Sequence, residues 1–138
     1  NVVRPHESFQ IGDLGIMPFT VMHGTLPILA FRITDKTSQT LQTSHPLHSL
    51  TYITDMKTIA TSELSYATGS DILVVNALRF TKPHHSHMLV DEAIDFIRRT
   101  KIPQTYLIHR CHDIGLHQEV NRLLPSDIQL AHDGMVVE

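Results

Sequence analysis

The sequence of 138 residues contains no tryptophan, a single cysteine and no long apolar run. The lone Cys111 cannot form an internal disulfide, so stability must come from packing or from metal, as expected in a reducing compartment. No apolar stretch approaches the roughly 20 residues that a helix needs to cross a bilayer, and no segment has the pattern of a secretory signal. These absences predict a soluble, cytoplasmic protein with no membrane partner.

An excess of positive charge is also missing. The chain has 11 lysines and arginines against 14 acidic residues, a net charge of -3 at pH 7. A protein that binds nucleic acid without sequence preference draws its affinity from a basic face, so this composition argues against such a partner. The hydrophobic share of 41% is that of one ordinary domain with a buried core.

Histidine, by contrast, is abundant: the 11 histidines equal all the lysines and arginines together. The chain also begins on "NVVRPH", without a methionine, and enters an apolar stretch soon afterwards. We interpret this start as a cut inside a longer polypeptide, and we expect the chain to be a fragment.

Apolar runs of strand length alternate with amphipathic segments through the second half of the chain, a pattern that predicts an α/β fold with one sheet. A polar stretch without periodicity, residues 34–49, is predicted to be an exposed excursion between strands. Asp71–Leu78 contains a continuous apolar run of strand length, which is typical of a strand covered on both faces. The predicted strands are Leu14–Met22, Pro27–Ile33, Leu50–Thr54, Asp71–Leu78, Gln104–His109, Asp127–Ala131 and Gly134–Glu138, and the predicted helices are Ser62–Gly69, Val90–Thr100 and Leu116–Leu124.

Residues that bind metals follow several of the predicted strands. His23, Asp55 and His109 each lie at a strand end, and the cluster "PHHSH", Pro83–His87, follows another. In α/β sheets, binding and active sites commonly lie beyond the carboxyl ends of the strands. Imidazole and carboxylate groups together are suitable ligands for zinc, manganese or iron. The convergence indicates a metal site, although the spacing alone is a weak signal because the ligands lie far apart in sequence.

Six segments, in this order, resemble the C-terminal half of metallo-β-lactamase-fold hydrolases: "MHGTLPILAFRI", "YITDMKTI", "ILVVNALR", "HHSHMLVDEAIDF", "YLIHRCHDIGLH" and "LPSDIQLAHDGMVV". Within that superfamily the chain is most similar to the phosphoribosyl cyclic phosphodiesterase group, and more distantly to tRNA-trimming endonucleases. The resemblance implies half of a four-layer αββα sandwich, one mixed sheet with helices on one face. It covers nearly the whole chain.

The resemblance also implies a site for two divalent metal ions, zinc or manganese. By position, His23 would hold the first ion, Asp55 would bridge the two, and His109 would hold the second. His87 matches the histidine that contacts the scissile phosphate, and it would steady the transition-state charge or protonate the leaving oxygen. His112, with Asp113 beside it, would orient His109 or the substrate.

The sequence departs from the family pattern in three places. The HxHxDH signature, which supplies most of the ligands, does not occur, so residues 1–138 are interpreted as the C-terminal half of the domain. The excursion over residues 34–49, which contains His45 and His48, is longer than the family's turn. Leu89 stands where a serine often caps the following helix, which predicts a helix start looser by roughly 1 kcal/mol.

Each of these assignments has a structural alternative. A histidine at a strand end is commonly a hydrogen-bonded structural residue, and Asp55 could cap a helical turn after its strand. The prediction that follows from the resemblance is a metal-dependent hydrolase, a phosphodiesterase that acts on a small phosphate ester, with the isolated chain inactive. The alternatives are an RNA-processing nuclease of the same fold and a non-catalytic half-domain that self-associates. A homo-oligomer or a pairing with the missing half is expected.

Overall fold

The computed structural model of the chain describes residues 2–37 and 49–137, which form a single seven-stranded sheet with two α-helices. Two short 3-10 helices, Leu64–Ala67 and His112–Ile114, lie in the connections. The strands are β1 (Phe9–Ile11), β2 (Leu14–His23), β3 (Leu26–Asp35), β4 (Ser49–Ile53), β5 (Ile72–Asn76), β6 (Gln104–Ile108) and β7 (Ile128–Leu130), and the helices are α1 (Val90–Thr100) and α2 (His117–Leu123).

The strands follow one another across the sheet in sequence order. Strands β1 to β4 pair antiparallel, whereas β4 to β7 pair parallel. Because β2 and β4 both run antiparallel to β3, they point the same way, and β5 and β6 share that direction. The carboxyl ends of β2, β4, β5 and β6, at His23, Ile53, Asn76 and Ile108, therefore lie along one edge of the sheet, called the site edge below.

Both helices pack on the same face of the sheet. Alternate strand residues point to one side, and on this side Leu73 and Leu107 are fully buried. They share one hydrophobic cluster with Ala93 and Ile97 of α1 and Val120 of α2. The covered face is therefore the core of the domain, and it fixes the parallel strands that carry the site edge.

The other face of the sheet is also apolar. Residues directly opposite each other in the register share a face, and two adjacent rows cross the strands on this side. Tyr52 is 38% exposed in the middle of this surface, whereas Ile16, Ile72 and Tyr106 are 4 to 7% exposed. Met135 and Val137 of the C-terminal segment line a groove over part of the surface. We call the whole surface the open face, and its two rows are Pro18, Phe31, Tyr52, Val74 and Tyr106, and Ile16, Ile33, Leu50 and Ile72.

The predictions of an α/β class and of one mixed sheet with helices on one face are confirmed. Helix Val90–Thr100 has the predicted bounds. Three details differ: β1 was not predicted, Ser62–Gly69 contains only a short 3-10 helix, and the described part of Gly134–Glu138 forms no strand. His45 and His48 lie outside the described residues. Among the helices that the structure describes, none combines the length and the apolar character of a membrane span.

The start of α1 is held by a device that the sequence analysis did not find. Leu89, at the N-cap position, has no side-chain acceptor, as the sequence shows. The Glu92 carboxylate nevertheless accepts a hydrogen bond of 2.7 Å from the Leu89 N–H, which is half of a capping box. Lys57 donates to both oxygens of the same carboxylate. The helix start is therefore firmer than the missing serine implies.

Candidate metal centre

The site edge brings together the four residues that the resemblance assigns to the site. His23 is the last residue of β2, Asp55 lies two residues beyond β4, and His109 directly follows β6. His87 arrives in the connection between β5 and α1. The ends of three alternate strands, β2, β4 and β6, and one loop therefore converge, as the strand-end pattern predicts.

The four side chains form a continuous chain of contacts. His23 Nε2 lies 3.1 Å from His87 Nε2, and His87 Nε2 lies 3.3 Å from Asp55 Oδ1. His109 Nδ1 lies 3.2 Å from the same Asp55 oxygen. The rings of His87 and His109 stack with centroids 4.5 Å apart, so Asp55 and His87 are the centre of the cluster.

The donor atoms fit a divalent metal. One ligand atom from each of His23, Asp55 and His87 lies within 4.8 Å of the others. Two facing Nε2 atoms at 3.1 Å cannot both carry a hydrogen, and two bare lone pairs would repel, so a shared proton or a cation satisfies them. Imidazole nitrogen and carboxylate oxygen are ligands that zinc and manganese accept. Three residues are fewer than the four ligands of a closed zinc site, so further donors are required.

Backbone hydrogen bonds hold the β2 end against the segment that carries Asp55. The Met22 N–H donates to the Thr58 carbonyl at 2.9 Å, and the Lys57 N–H donates to the Met22 carbonyl at 2.7 Å. Met22 precedes His23, and Lys57 lies two residues after Asp55. The bridge therefore fixes the separation between a histidine and the carboxylate of the site.

Asn76 secures the same segment from the next strand. Its side chain is completely buried at the end of β5. The Met56 N–H donates to Asn76 Oδ1 at 2.7 Å, and Asn76 Nδ2 donates to the Met56 carbonyl at 2.9 Å. Met56 directly follows Asp55, so this paired contact positions the carboxylate.

Leu78 joins the two remaining segments through its backbone. Its N–H donates to the Met88 carbonyl at 2.9 Å, and its carbonyl accepts from the Cys111 N–H at 3.0 Å. The first bond anchors the residue after His87, and the second anchors the turn after His109. His109 itself adopts a left-handed conformation with φ of 54°, which costs a non-glycine residue roughly 1 kcal/mol or more. The surrounding hydrogen bonds hold this conformation, which turns the imidazole toward Asp55.

The pKa shifts in the cluster favour an ionised Asp55 carboxylate and a neutral His87. Burial alone would raise the pKa of Asp55, but the hydrogen bond from Thr54 and the neighbouring His109 and His87 bring it below its ordinary value. Burial lowers the pKa of His87; the contact with Asp55 opposes this effect, and the nearby His109 and His23 add to it. An ionised carboxylate with unprotonated nitrogens is the state in which these residues bind a cation.

The structure decides between some of the alternatives. Asp55 does not cap a helix, because the next helical segment begins only at Leu64. His112 is 93% exposed, and its Nε2 lies 3.3 Å from Asp113 Oδ1, so it does not orient His109 in the described structure. That His112 or Asp113 orients the substrate stays a prediction. The sequence analysis missed the role of Asn76. Its signal was a lone amide ending the apolar run "ILVVN", since a buried amide needs partners.

Comparisons with known proteins agree with this geometry. Residues 1–110 match the beta-lactamase superfamily domain. A curated protein of Porphyromonas gingivalis strain ATCC BAA-308 / W83, named octanoyltransferase, is 36% identical over 133 residues, 96% of this chain and 24% of that protein. The crystal structure of a diphosphatase from the PhnP family is 34% identical with a TM-score of 0.79, covering 94% of this chain and 45% of that one. Zn²⁺-bound PqqB from Methylobacterium extorquens shares the fold with a TM-score of 0.75 at 14% identity, over 99% of this chain and 54% of that one.

The chain spans about half the length of these solved structures and about a quarter of the curated relative. The low identity to PqqB establishes the fold alone.

Proposed function

The chain belongs to the beta-lactamase superfamily, with the metallo-β-lactamase fold, and from this premise we propose that it forms part of a metal-dependent hydrolase that cleaves small phosphate esters. The observation that carries the proposal is the convergence of His23, Asp55, His87 and His109 at the site edge. Successive contacts, from His23 to His87, from His87 to Asp55 and from Asp55 to His109, measure 3.1 to 3.3 Å. The 34% identity to a diphosphatase supports phosphate chemistry. The net charge of -3 favours a small substrate over RNA.

The residues divide into two roles under this proposal. His23, Asp55 and His109 would hold two divalent ions, zinc or manganese, with Asp55 shared between them. The cluster that could hold an ion in the structure contains His87 rather than His109; we assign His87 to the substrate because it matches the family's phosphate-contacting histidine. Ions bound there supply Lewis acidity, which polarises a phosphoryl oxygen. His87 would direct Nε2 at the substrate, where it donates a hydrogen bond to the charge that develops on oxygen or gives a proton to the leaving group.

The proposed site needs donors from another segment of polypeptide. This chain gives each ion only two protein ligands, counting Asp55 twice, and a tight zinc site takes about four, or three with a water. We propose that residues 1–138 are the C-terminal half of the domain and that a segment with the HxHxDH signature completes the site. That segment, or a second copy of this chain, would cover the open face, whose central Tyr52 is 38% exposed. The 138 residues alone should bind metal weakly and show no appreciable turnover.

The test compares three variants in a polypeptide that contains both this chain and the HxHxDH segment. Asp55→Ala and His109→Ala should lose bound metal and hydrolysis of a generic phosphodiester together. His87→Ala should keep its metal and lose mainly kcat, because a group that acts on the transition state leaves the ground-state site intact. If His87→Ala loses metal as completely as Asp55→Ala, then His87 is a ligand and the division of roles is wrong.

A further inference from the structure

His87 lies in an irregular loop that is closed at its base and exposed at its tip. We call it the histidine loop, residues 79–89, which lies between β5 and α1. Two backbone hydrogen bonds, of 2.9 and 3.0 Å, close the base between residues 78–79 and 88–90. Residues 81–83, at the tip, are exposed and form no helix or strand. The tip therefore needs side-chain contacts if its position is to be fixed.

Arg79 braces the tip from inside the loop. Its Nε–H donates a hydrogen bond of 3.0 Å to the carbonyl of Lys82. Lys82 adopts a left-handed conformation with φ of 62°, which is unfavourable for a residue with a side chain unless contacts hold it. The Arg79 side chain is only 19% exposed, so its charged guanidinium is partly removed from water and gains from an anionic partner.

Asp113 supplies that partner from a different element. It belongs to the 3-10 helix His112–Ile114, beyond β6, and Ile114 beside it is buried in the core. Its Oδ2 accepts a hydrogen bond of 3.3 Å from Lys82 Nζ and lies 3.6 Å from Arg79 Nη1. The hydrogen bond from Lys82, more than the nearby Arg79, brings the pKa of Asp113 below its ordinary value. One carboxylate oxygen therefore contacts both the arginine and the lysine of the histidine loop.

These contacts give the histidine loop a second point of attachment to the chain after β6. The first is at the base, where the Cys111 N–H donates to the Leu78 carbonyl at 3.0 Å. A loop joined at one point can pivot, whereas a second attachment at its tip removes that freedom. His84, next to the tip, has its ring 4.8 Å from the ring of His87. A displacement of the tip would therefore move a side chain that packs against His87.

We propose that Asp113 is a positioning residue that clamps Arg79 and Lys82. The clamp holds the histidine loop with His87 facing the site edge. The segment that carries Asp113 begins at His109, so the clamp also fixes the distance between two sides of the site. Asp113 acts on the substrate only through the loop, not by contact. The catalytic consequence rests on the proposed function, whereas the clamp itself does not.

The first test observes the clamp without reference to catalysis. NMR of the arginine side-chain N–H groups of the protein follows the Arg79 Nε–H, and Arg79→Lys identifies its signal. This hydrogen should exchange slowly with water in the unmodified protein. Asp113→Ala should speed the exchange about 10-fold, the factor expected for the loss of one stabilising hydrogen bond. Asp113→Glu keeps the charge and should restore slow exchange.

Glu119→Ala is the matched control. Glu119 is an exposed carboxylate in α2, outside the contacts of the clamp, and its removal changes the net charge by the same amount. This variant should leave the Arg79 signal unchanged. Exchange that Asp113→Ala does not alter, or that Glu119→Ala speeds equally, would overturn the clamp.

The second test is kinetic and uses the polypeptide that also contains the HxHxDH segment. Asp113→Ala should lower kcat about 10-fold or more with little change in KM or metal content, because a small misplacement of a reacting group slows the reaction strongly. Asp113→Glu should recover most of the rate. Equal kcat in all three proteins, or a loss of kcat that follows a loss of metal, contradicts the positioning role.

A double variant separates the clamp from a direct action of Asp113 on the substrate. Arg79→Lys keeps the charge but removes the Nε–H that braces Lys82. If Asp113 acts through Arg79, Asp113→Ala combined with Arg79→Lys should be no slower than the slower single variant. Losses that multiply would mean that the two residues act independently, and the proposal would be wrong. If the unmodified protein hydrolyses no phosphate ester, the proposed function fails, and the exchange result still decides the clamp.

Discussion

Replacing Asn76 by leucine should destabilise the protein strongly, although the two side chains are similar in size. Asn76 is completely buried, and its amide satisfies both the N–H and the carbonyl of Met56, a residue that is itself 1% exposed. Leucine would leave both backbone groups without partners, at roughly 1–3 kcal/mol each, or about 4 kcal/mol together. The added apolar contact returns about 1 kcal/mol, so the expected net loss is about 3 kcal/mol. That is a large part of the 5–15 kcal/mol typical of a domain.

Thr105 provides a matched control in the neighbouring strand. It is 1% exposed, and its hydroxyl has no hydrogen-bond partner among the described residues 2–37 and 49–137. Thr105→Val removes a buried polar atom that contributes nothing, so it should stabilise the protein by about 1 kcal/mol. Both variants are measured by urea unfolding followed by circular dichroism, with chelator present so that metal binding does not add to stability. An Asn76→Leu loss below about 1 kcal/mol, or an equal loss in Thr105→Val, would refute this account of how the Asp55 segment is held.

Three further outcomes follow from other contacts. Burial would raise the pKa of Glu63, but hydrogen bonds from His6 and the Thr20 N–H bring it below its ordinary value of 4.5, so the ionised carboxylate stabilises the fold above that pH and this stabilisation is lost as pH falls through the folded pKa. Glu63→Gln should therefore weaken the pH dependence of the free energy of unfolding between about pH 5 and pH 3. An unchanged dependence would count against this role of Glu63. Glu92→Ala should lower the free energy of unfolding by about 1 kcal/mol, because the Leu89 N–H at the start of α1 loses its acceptor. Thermal unfolding measures this change, and an unchanged stability would mean that the hydrogen bond does not stabilise the helix. The chain alone should self-associate through the open face, and Tyr52→Asp should shift it toward monomer in light scattering; a monodisperse unmodified monomer at high concentration would contradict this.

Much of the fold could be read from the sequence because its strongest elements obey simple periodicities. Val90–Thr100 carries one apolar stripe, and Ile72–Asn76 consists of four apolar residues before its final amide, so the type and position of both elements follow from their hydrophobic patterns. β1 escaped prediction because it is three residues long and one of them, Ile11, is 63% exposed. Its structure depends on pairing with β2, which no local pattern reveals.

The principal residues of the candidate site could be predicted from the sequence, whereas the contacts of the residues around them could not. His23, Asp55 and His109 stand at strand ends, so topology alone brings them to one edge. The contact between His84 and His87 depends on the path of an irregular loop, and adjacent histidines in sequence do not show which of them faces inward. The expectation that His112 orients His109 failed for the same reason, since His112 stands in the 3-10 helix His112–Ile114 with its side chain 93% exposed.

The central claim is that Asp55 lies in a metal site at the carboxyl ends of the strands. Elemental analysis of the polypeptide that also contains the HxHxDH segment tests it most directly, comparing the unmodified protein with Asp55→Ala and with Asp13→Ala as the control. Asp13 is an exposed carboxylate in the turn between β1 and β2, outside the cluster that could hold an ion. We predict divalent metal in the unmodified and Asp13→Ala proteins and its loss in Asp55→Ala. Equal metal content in all three would contradict the account.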